Sequence, residues 1–196
     1  EAQAEAQAAV AVQQQVETAR YDLLWASNWQ NITAWRARVD GGAAAAAPTG
    51  DNVPNYRDGA EGFTRLFDLD RSLLGPAARQ SLDTIEAQWA IMSDYNEQIF
   101  QLWEQGRLDE GDAVSNGEKW DVFYVLDQAM VELVEAVDAR AAEARTQAQD
   151  ADALADRIAM ITAGVALVLG VGVAFVVSRG IVRGVQEVRG GLERLA

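Results

Sequence analysis

The chain has 196 residues, 49% of them apolar, a formal charge of −14, and neither a cysteine nor a histidine. Those two absences exclude Cys/His zinc sites, cysteine nucleophiles, Ser–His dyads, imidazole proton shuttles and a phospho-accepting histidine within these residues. The acidic balance argues against nucleic acid as a partner, and length with a mean hydropathy of −0.11 fits one ordered domain plus an anchor.

No convincing period-two strand run occurs, and proline stands only at 48, 54 and 76, so the fold class expected is all-α. The spacing predicts a first helix over residues 1–39, with Tyr21, Trp25, Asn28, Ile32, Trp35 and Val39 alternating steps of four and three as its seam. "DGG" at 40–42 stops it, and "GGAAAAAPTGDNVPN" reads as a loop in which the alanine run can wind up briefly. A second helix is predicted over 56–74 (Tyr56, Ala60, Phe63, Leu66, Phe67, Leu73). It is ended by "GP", whose Pro76 suits the first turn of the next helix. The third, over 77–105, carries the clearest seam: Leu82, Ile85, Trp89, Met92, Asn96, Ile99 and Trp103. "GRLDEGD" turns the chain, and a fourth helix is expected from about Ala113. With no glycine or proline from Glu118 to Ala163, it should run on without interruption.

Together these predict an up-down four-helix bundle. "EAQAEAQAAVAVQQQ" and "ARAAEARTQAQDADALADR" lack large apolar side chains. They are expected to form a thin stalk completed by a second protomer, with the core in the other half of the bundle. Asn28 and Asn96 occupy seam positions where apolar residues are expected, and read as register-fixing polar groups or as ligand contacts.

Residues 158–177, "IAMITAGVALVLGVGVAFVV", are 20 residues without a charge. At about 1.5 Å per residue they match a hydrocarbon core of roughly 30 Å. The tail after Ser178 holds Arg179, Arg183, Arg189 and Arg194 against Glu187 and Glu193, whereas residues 1–156 hold 11 basic and 28 acidic residues, a net −17. The positive-inside bias therefore predicts residues 1–156 outside a cell membrane, 157–178 as a single span and 179–196 in the cytoplasm. Thr162, Ala166, Gly170, Ala174 and Ser178 recur every fourth residue. That is either a close-packing stripe for a second helix or the result of abundant small residues.

The tail "SRGIVRGVQEVRGGLERLA", together with "NWQNITAWRARVDGG" and "WEQGRLDEGDA", resembles a bacterial methyl-accepting chemotaxis receptor of the four-helix-bundle type. Ile181, Val185, Val188, Leu192 and Leu195 fall on the a/d positions of a first HAMP helix, with Gly184 where that helix commonly has a proline. The resemblance implies a homodimer in the bilayer and a transmembrane helix before Glu1. It also implies the rest of HAMP and a signalling part after Ala196, acting on a cytoplasmic kinase and its adaptor. The chain would be a fragment cut within HAMP, and a small-molecule or protein ligand would shift the fourth helix axially. Alternatives are the input module of a HAMP-containing histidine kinase or cyclic-nucleotide-forming enzyme, or a membrane-anchored helical adaptor.

If the first and third helices rise and the second and fourth descend, Trp29, Trp35, Arg36, Arg38, Tyr56, Arg57, Trp103, Lys119 and Trp120 gather at one end. Trp35, Arg36, Arg38, Trp103 and Trp120 are the candidate ligand residues, Arg36 and Arg38 by placement against the family's ligand arginines. Aromatic walls with cationic donors suit a small carboxylate or an aromatic ligand. The plainer reading makes the tryptophans core and the arginines solvated. No enzyme, cofactor or metal is expected: the single lysine, Lys119, and the scattered acids form no recognisable motif, and a di-iron bundle needs Glu-x-x-His.

Overall fold

The computed structural model describes the backbone from Ala2 to Glu193 and side chains as far as Arg179. It is all-α, 91% helix, with no strand among the described residues. Helix α1 spans Ala2–Val39, close to the expected bounds. Gly41, at φ 94°, supplies the left-handed turn that ends it. The alanine run does wind up, as the single turn α2 (Gly42–Ala45).

Helix α3, Asn52–Thr64, starts four residues before the expected Tyr56 and stops ten before the expected Leu74. Pro54 falls in its first turn, where a missing N–H costs nothing. After Thr64 the chain continues as two 3₁₀ turns, Arg65–Asp68 and Arg71–Leu73. Leu69 is extended between them, and the Asp70 carboxylate accepts from the Ser72 N–H at 2.9 Å, a local bond that competes with helix continuation.

Helix α4 spans Pro76–Glu104 with the proline at its start. The expected fourth helix is divided: α5 covers Leu108–Asn116, Gly117 breaks it at φ −102°, ψ −121°, and α6 covers Glu118–Glu193. The chain forms two compact units, Glu1–Thr146 and Gln147–Ala196.

In the first unit neighbouring helices are antiparallel. Gln13 bonds Asp138 and Gln30 bonds Lys119 between α1 and α6, while Ser81 with Glu132 and Tyr95 with Glu118 do the same between α4 and α6. One apolar cluster is built from Val16, Leu23, Phe63, Leu82, Ile85, Trp89, Leu126, Met130 and Leu133, among others. Burying each such Leu, Ile or Phe contributes about 1.5–3 kcal/mol. A second cluster takes Ala26, Ala37, Ala45, Val53, Tyr56, Ile99, Phe100 and Trp103. The α4 seam is buried along its whole predicted length.

The α1 seam is not. Its buried face is Ala6, Ala9, Val12, Val16, Ala19, Leu23, Ala26, Gln30, Thr33 and Ala37, while Tyr21, Trp35 and Val39 are 63%, 65% and 62% exposed. Small side chains let α1 approach α3 closely, so the alanine face goes inward and the aromatic face outward. Asn28 is exposed with it, so its expected seam role falls away.

In the second unit α6 carries an 18-residue window of mean hydropathy 2.5, none of it buried, making it a helix long and apolar enough to cross a membrane. Leu167, Val168, Phe175 and Val176 are all exposed. Ile181, Val185, Val188 and Leu192 have side chains outside the described residues, and Leu195 lies wholly outside them.

Candidate functional site

The five sequence-predicted ligand residues do not share one cavity. Trp103 is fully buried, and its indole N–H donates to Asp112 Oδ1 at 3.0 Å. Helix α5 lies against that ring because Gly111 has no side chain: a Cβ there would stand 2.6 Å from Trp103 Nε1. Gly42 likewise sits against the Trp103 carbonyl, where a Cβ would come within 1.8 Å. Arg38 closes the same arrangement, donating to Asp112 Oδ2 at 2.5 Å and to Asp109 Oδ1 at 2.8 Å. Its hydrogen bonds to Asp112 and then Asp109 push the guanidinium pKa further up. Trp103 and Arg38 are therefore joined through Asp112 and fasten α5 to α1 and α4. Trp35 and Trp120 lie on the surface, Trp120 stacked on Phe123 at 5.5 Å.

Of the five, Arg36 lines a cavity at the end of α1. Its Nε donates to Asp40 Oδ2 at 2.8 Å, and the two residues with Ala44, Ala45, Gly50, Asp51 and Asn52 enclose about 300 Å³ between the end of α1, α2 and the start of α3. Asn52 is buried; its Nδ2 donates to the Ala45 carbonyl at 3.0 Å, and its Oδ1 has no partner.

A second polar feature crosses the interior. Gln30 of α1, Tyr56 of α3, Asn96 of α4 and Lys119 of α6 are all buried. Asn96 Nδ2 meets the Tyr56 hydroxyl at 2.7 Å, and the Lys119 ammonium donates to Gln30 Oε1. On α4 this layer falls between Met92 of one apolar cluster and Ile99 of the other. Lys119 faces an amide rather than a carboxylate, and burial drives its pKa down to about 8. Burial drives the Tyr56 phenol up, partly offset by the hydrogen bond with Asn96. Gln30 Nε2 and Asn96 Oδ1 are left without partners, so the layer is incompletely satisfied, an expensive state for buried polar groups.

Comparison with known proteins identifies no relative: no protein-family model, no curated protein and no solved structure matches this chain.

Asn96 was visible in the sequence as a polar residue interrupting an apolar seam. Gln30 and Asn52 were not, the first hidden on an alanine face and the second in a segment read as loop. Among the described residues no group of three or more acidic side chains is placed to hold a metal. Thr162, Ala166, Gly170 and Ala174 stand at four-residue intervals on α6, all exposed, with the Thr162 hydroxyl satisfied by the Ile158 carbonyl at 2.8 Å.

Proposed function

We propose that this chain is the sensory input module of a dimeric membrane receptor of the chemotaxis type. Helices α1, α3, α4 and α6 form an up-down four-helix bundle outside the membrane, and residues 157–178 form the span. The carrying observation is α6 itself. The helix that places Leu126, Met130, Leu133 and Val137 in the apolar core also contains the charge-free run at 158–177. A stimulus that favours one arrangement of the core thereby biases the position of a membrane helix. Exposed apolar side chains all round residues 158–177 support a lipid surround.

The second protomer would cover the α1 face of Tyr21, Leu24, Trp25, Ile32, Trp35 and Val39. An apolar stripe of this extent is unusual on a monomer. HAMP and a kinase-controlling output follow from the resemblance of residues 179–196.

The relay can be tested without knowing the ligand. Joined in frame to the HAMP and signalling part of a chemotaxis receptor, residues 1–196 should set a kinase output. That output should change with insertions of one to four residues near residue 157, since each residue turns a helix by about 100°. An output indifferent to all four insertions would remove the relay. Because the chain has no cysteine, single cysteines scanned along 160–176 report span pairing cleanly. Disulfide yield should peak at Thr162, Ala166, Gly170 and Ala174, and a flat profile would count against a paired span.

A further inference from the structure

We propose, resting on the sensing role above, that the groove between α1 and the end of α3 binds a small zwitterion, its ammonium on Asp22 and its carboxylate on Arg65. The groove encloses about 360 Å³, and Asp22 and Arg65 are the two charged residues that line it. The backbone of α3 sets where the Asp22 carboxylate lies. Gly59 lets the two helices meet: an added Cβ there would stand 2.9 Å from the Ala26 nitrogen. At Gly62, one turn on, an added Cβ would stand 2.5 Å from Asp22 Oδ2, so the carboxylate takes space that a side chain on α3 would fill. Asp22 is half-buried, and among the described residues no hydrogen bond or ion pair reaches its carboxylate. Burial raises its pKa, the Arg65 guanidinium opposes that rise, and Asp58 adds to it.

Arg65 opens the 3₁₀ turn that follows α3. Its approach to Glu61, at 3.9 Å, is too long for a hydrogen bond, and both side chains are largely exposed. The guanidinium donors therefore stay available. A carboxylate and a guanidinium thus flank one groove, close enough to feel each other's charge and yet not in contact. A ligand with both charges satisfies both groups, whereas a ligand with one charge leaves the other group bare. The two side chains cancel, so net charge in the lining selects neither an anion nor a cation. Buried Ala19 and Leu66 give the groove an apolar floor for the methylenes between the ligand's charges. The volume accommodates a compound of metabolite size.

The experiment is calorimetric titration of the full chain in lipid nanodiscs with glycine, β-alanine and 4-aminobutyrate, whose charges stand progressively further apart. Ethylamine and propionate at equal ionic strength are the single-charge controls. At least one of the three zwitterions should bind about tenfold or more tightly than either control. Asp22→Asn should weaken that zwitterion by about tenfold or more. Arg65→Glu should weaken it as far and turn the groove toward putrescine, a diamine that the parent binds no better than ethylamine. Circular dichroism of each variant checks that the helical domain is retained. If Asp22→Asn fails that check, the change of preference in Arg65→Glu, at a largely exposed position, decides the question alone. No heat from any of the three zwitterions up to about 10 mM, a range reaching weak affinities, overturns the proposal. So does equal binding of a single-charge control, or a zwitterion affinity unmoved by Arg65→Glu. These readouts involve no kinase output, so a failed relay and a failed ligand site remain distinguishable.

Discussion

Helices α1 and α4 carry the same signature, large apolar residues alternating three and four apart, and meet opposite fates. The α4 set, from Leu82 to Trp103, is buried; the α1 set, from Tyr21 to Val39, faces out, with Trp35 at 65% exposure. Inside α1 lie Ala6, Ala9, Ala19, Ala26 and Ala37 instead. The comparison teaches that helical periodicity identifies a face that will be covered, not what covers it. On α4 the cover is the chain's own core; on α1 the described residues leave the face largely open, and the proposed second protomer would supply the cover.

The largest effects should come from the α4 seam. Ile85 and Trp103 are fully buried. Truncating either to alanine should cost about 3–5 kcal/mol, whereas Tyr21→Ala should change protomer stability by less than about 0.5 kcal/mol. Chemical denaturation of the full chain in nanodiscs measures both. Comparable losses at Ile85 and Tyr21 would erase the distinction between the two helices.

The polar layer tests whether the α4 seam tolerates charge. Lys119, with a folded-state pKa near 8 against 10.5 unfolded, is protonated in both states below pH 8, where its buried charge opposes folding. Between pH 8 and 10 the unfolded chain holds more protons, so stability should rise with pH, by about 2–3 kcal/mol if the full shift is expressed. Above about pH 10 the raised Tyr56 pKa acts in the opposite sense: its stabilising contribution, full below the unfolded value, is lost as pH rises. Thermal melts at pH 7, 8, 9 and 10 should therefore climb. The double variant Gln30→Leu/Lys119→Met should flatten the climb and leave the protein as stable or more so at pH 7, because both buried partners are replaced by apolar groups. A slope that survives in the double variant would locate the titration elsewhere.

Smaller again is the seal over Trp103. Gly111→Ala drives a Cβ into the indole and should cost about 1–3 kcal/mol by overpacking. Protection of the α5 amides from hydrogen exchange should fall before that of α4. Equal loss along both helices would mean that α5 is not a separately fastened element.

Much of this architecture was legible in advance, and the exceptions share a cause. The limits of α1, the start of α4 at Pro76 and the α4 seam all follow from contacts within a few residues of one another. The break after Thr64 depends on Asp70 capping Ser72, and the break at Gly117 on α5 folding back against Trp103. The buried face of α1 depends on how close α3 can come. The last two are not properties of a local window, and the first is a polar contact two residues long that an apolar pattern does not register. The ligand residues suffered in the same way. Arg38 reads as an available cation until Asp109 and Asp112 of α5 consume it, while Asn52, in a stretch read as loop, turns out to be buried.

The smallest stability effect is expected where the functional effect is large. Ile32→Glu and Trp35→Glu place charge on the outward face of α1, where Trp35 is largely exposed and Ile32 half-buried. Protomer melting at low protein density should stay within about 0.5 kcal/mol of the parent. Association is another matter: a carboxylate opposed to its symmetry mate across a two-fold seam is both desolvated and repelled, and each interface residue occurs twice. The pair should weaken dimerisation of the full chain by well over tenfold, measured by energy transfer between labelled copies diluted in lipid. Reversal by Ile32→Lys and Trp35→Lys on the partner copy would establish that the two α1 faces meet. If the glutamates leave association intact while protomer stability falls, the face is covered from within the protomer, and α1 and α4 are alike after all.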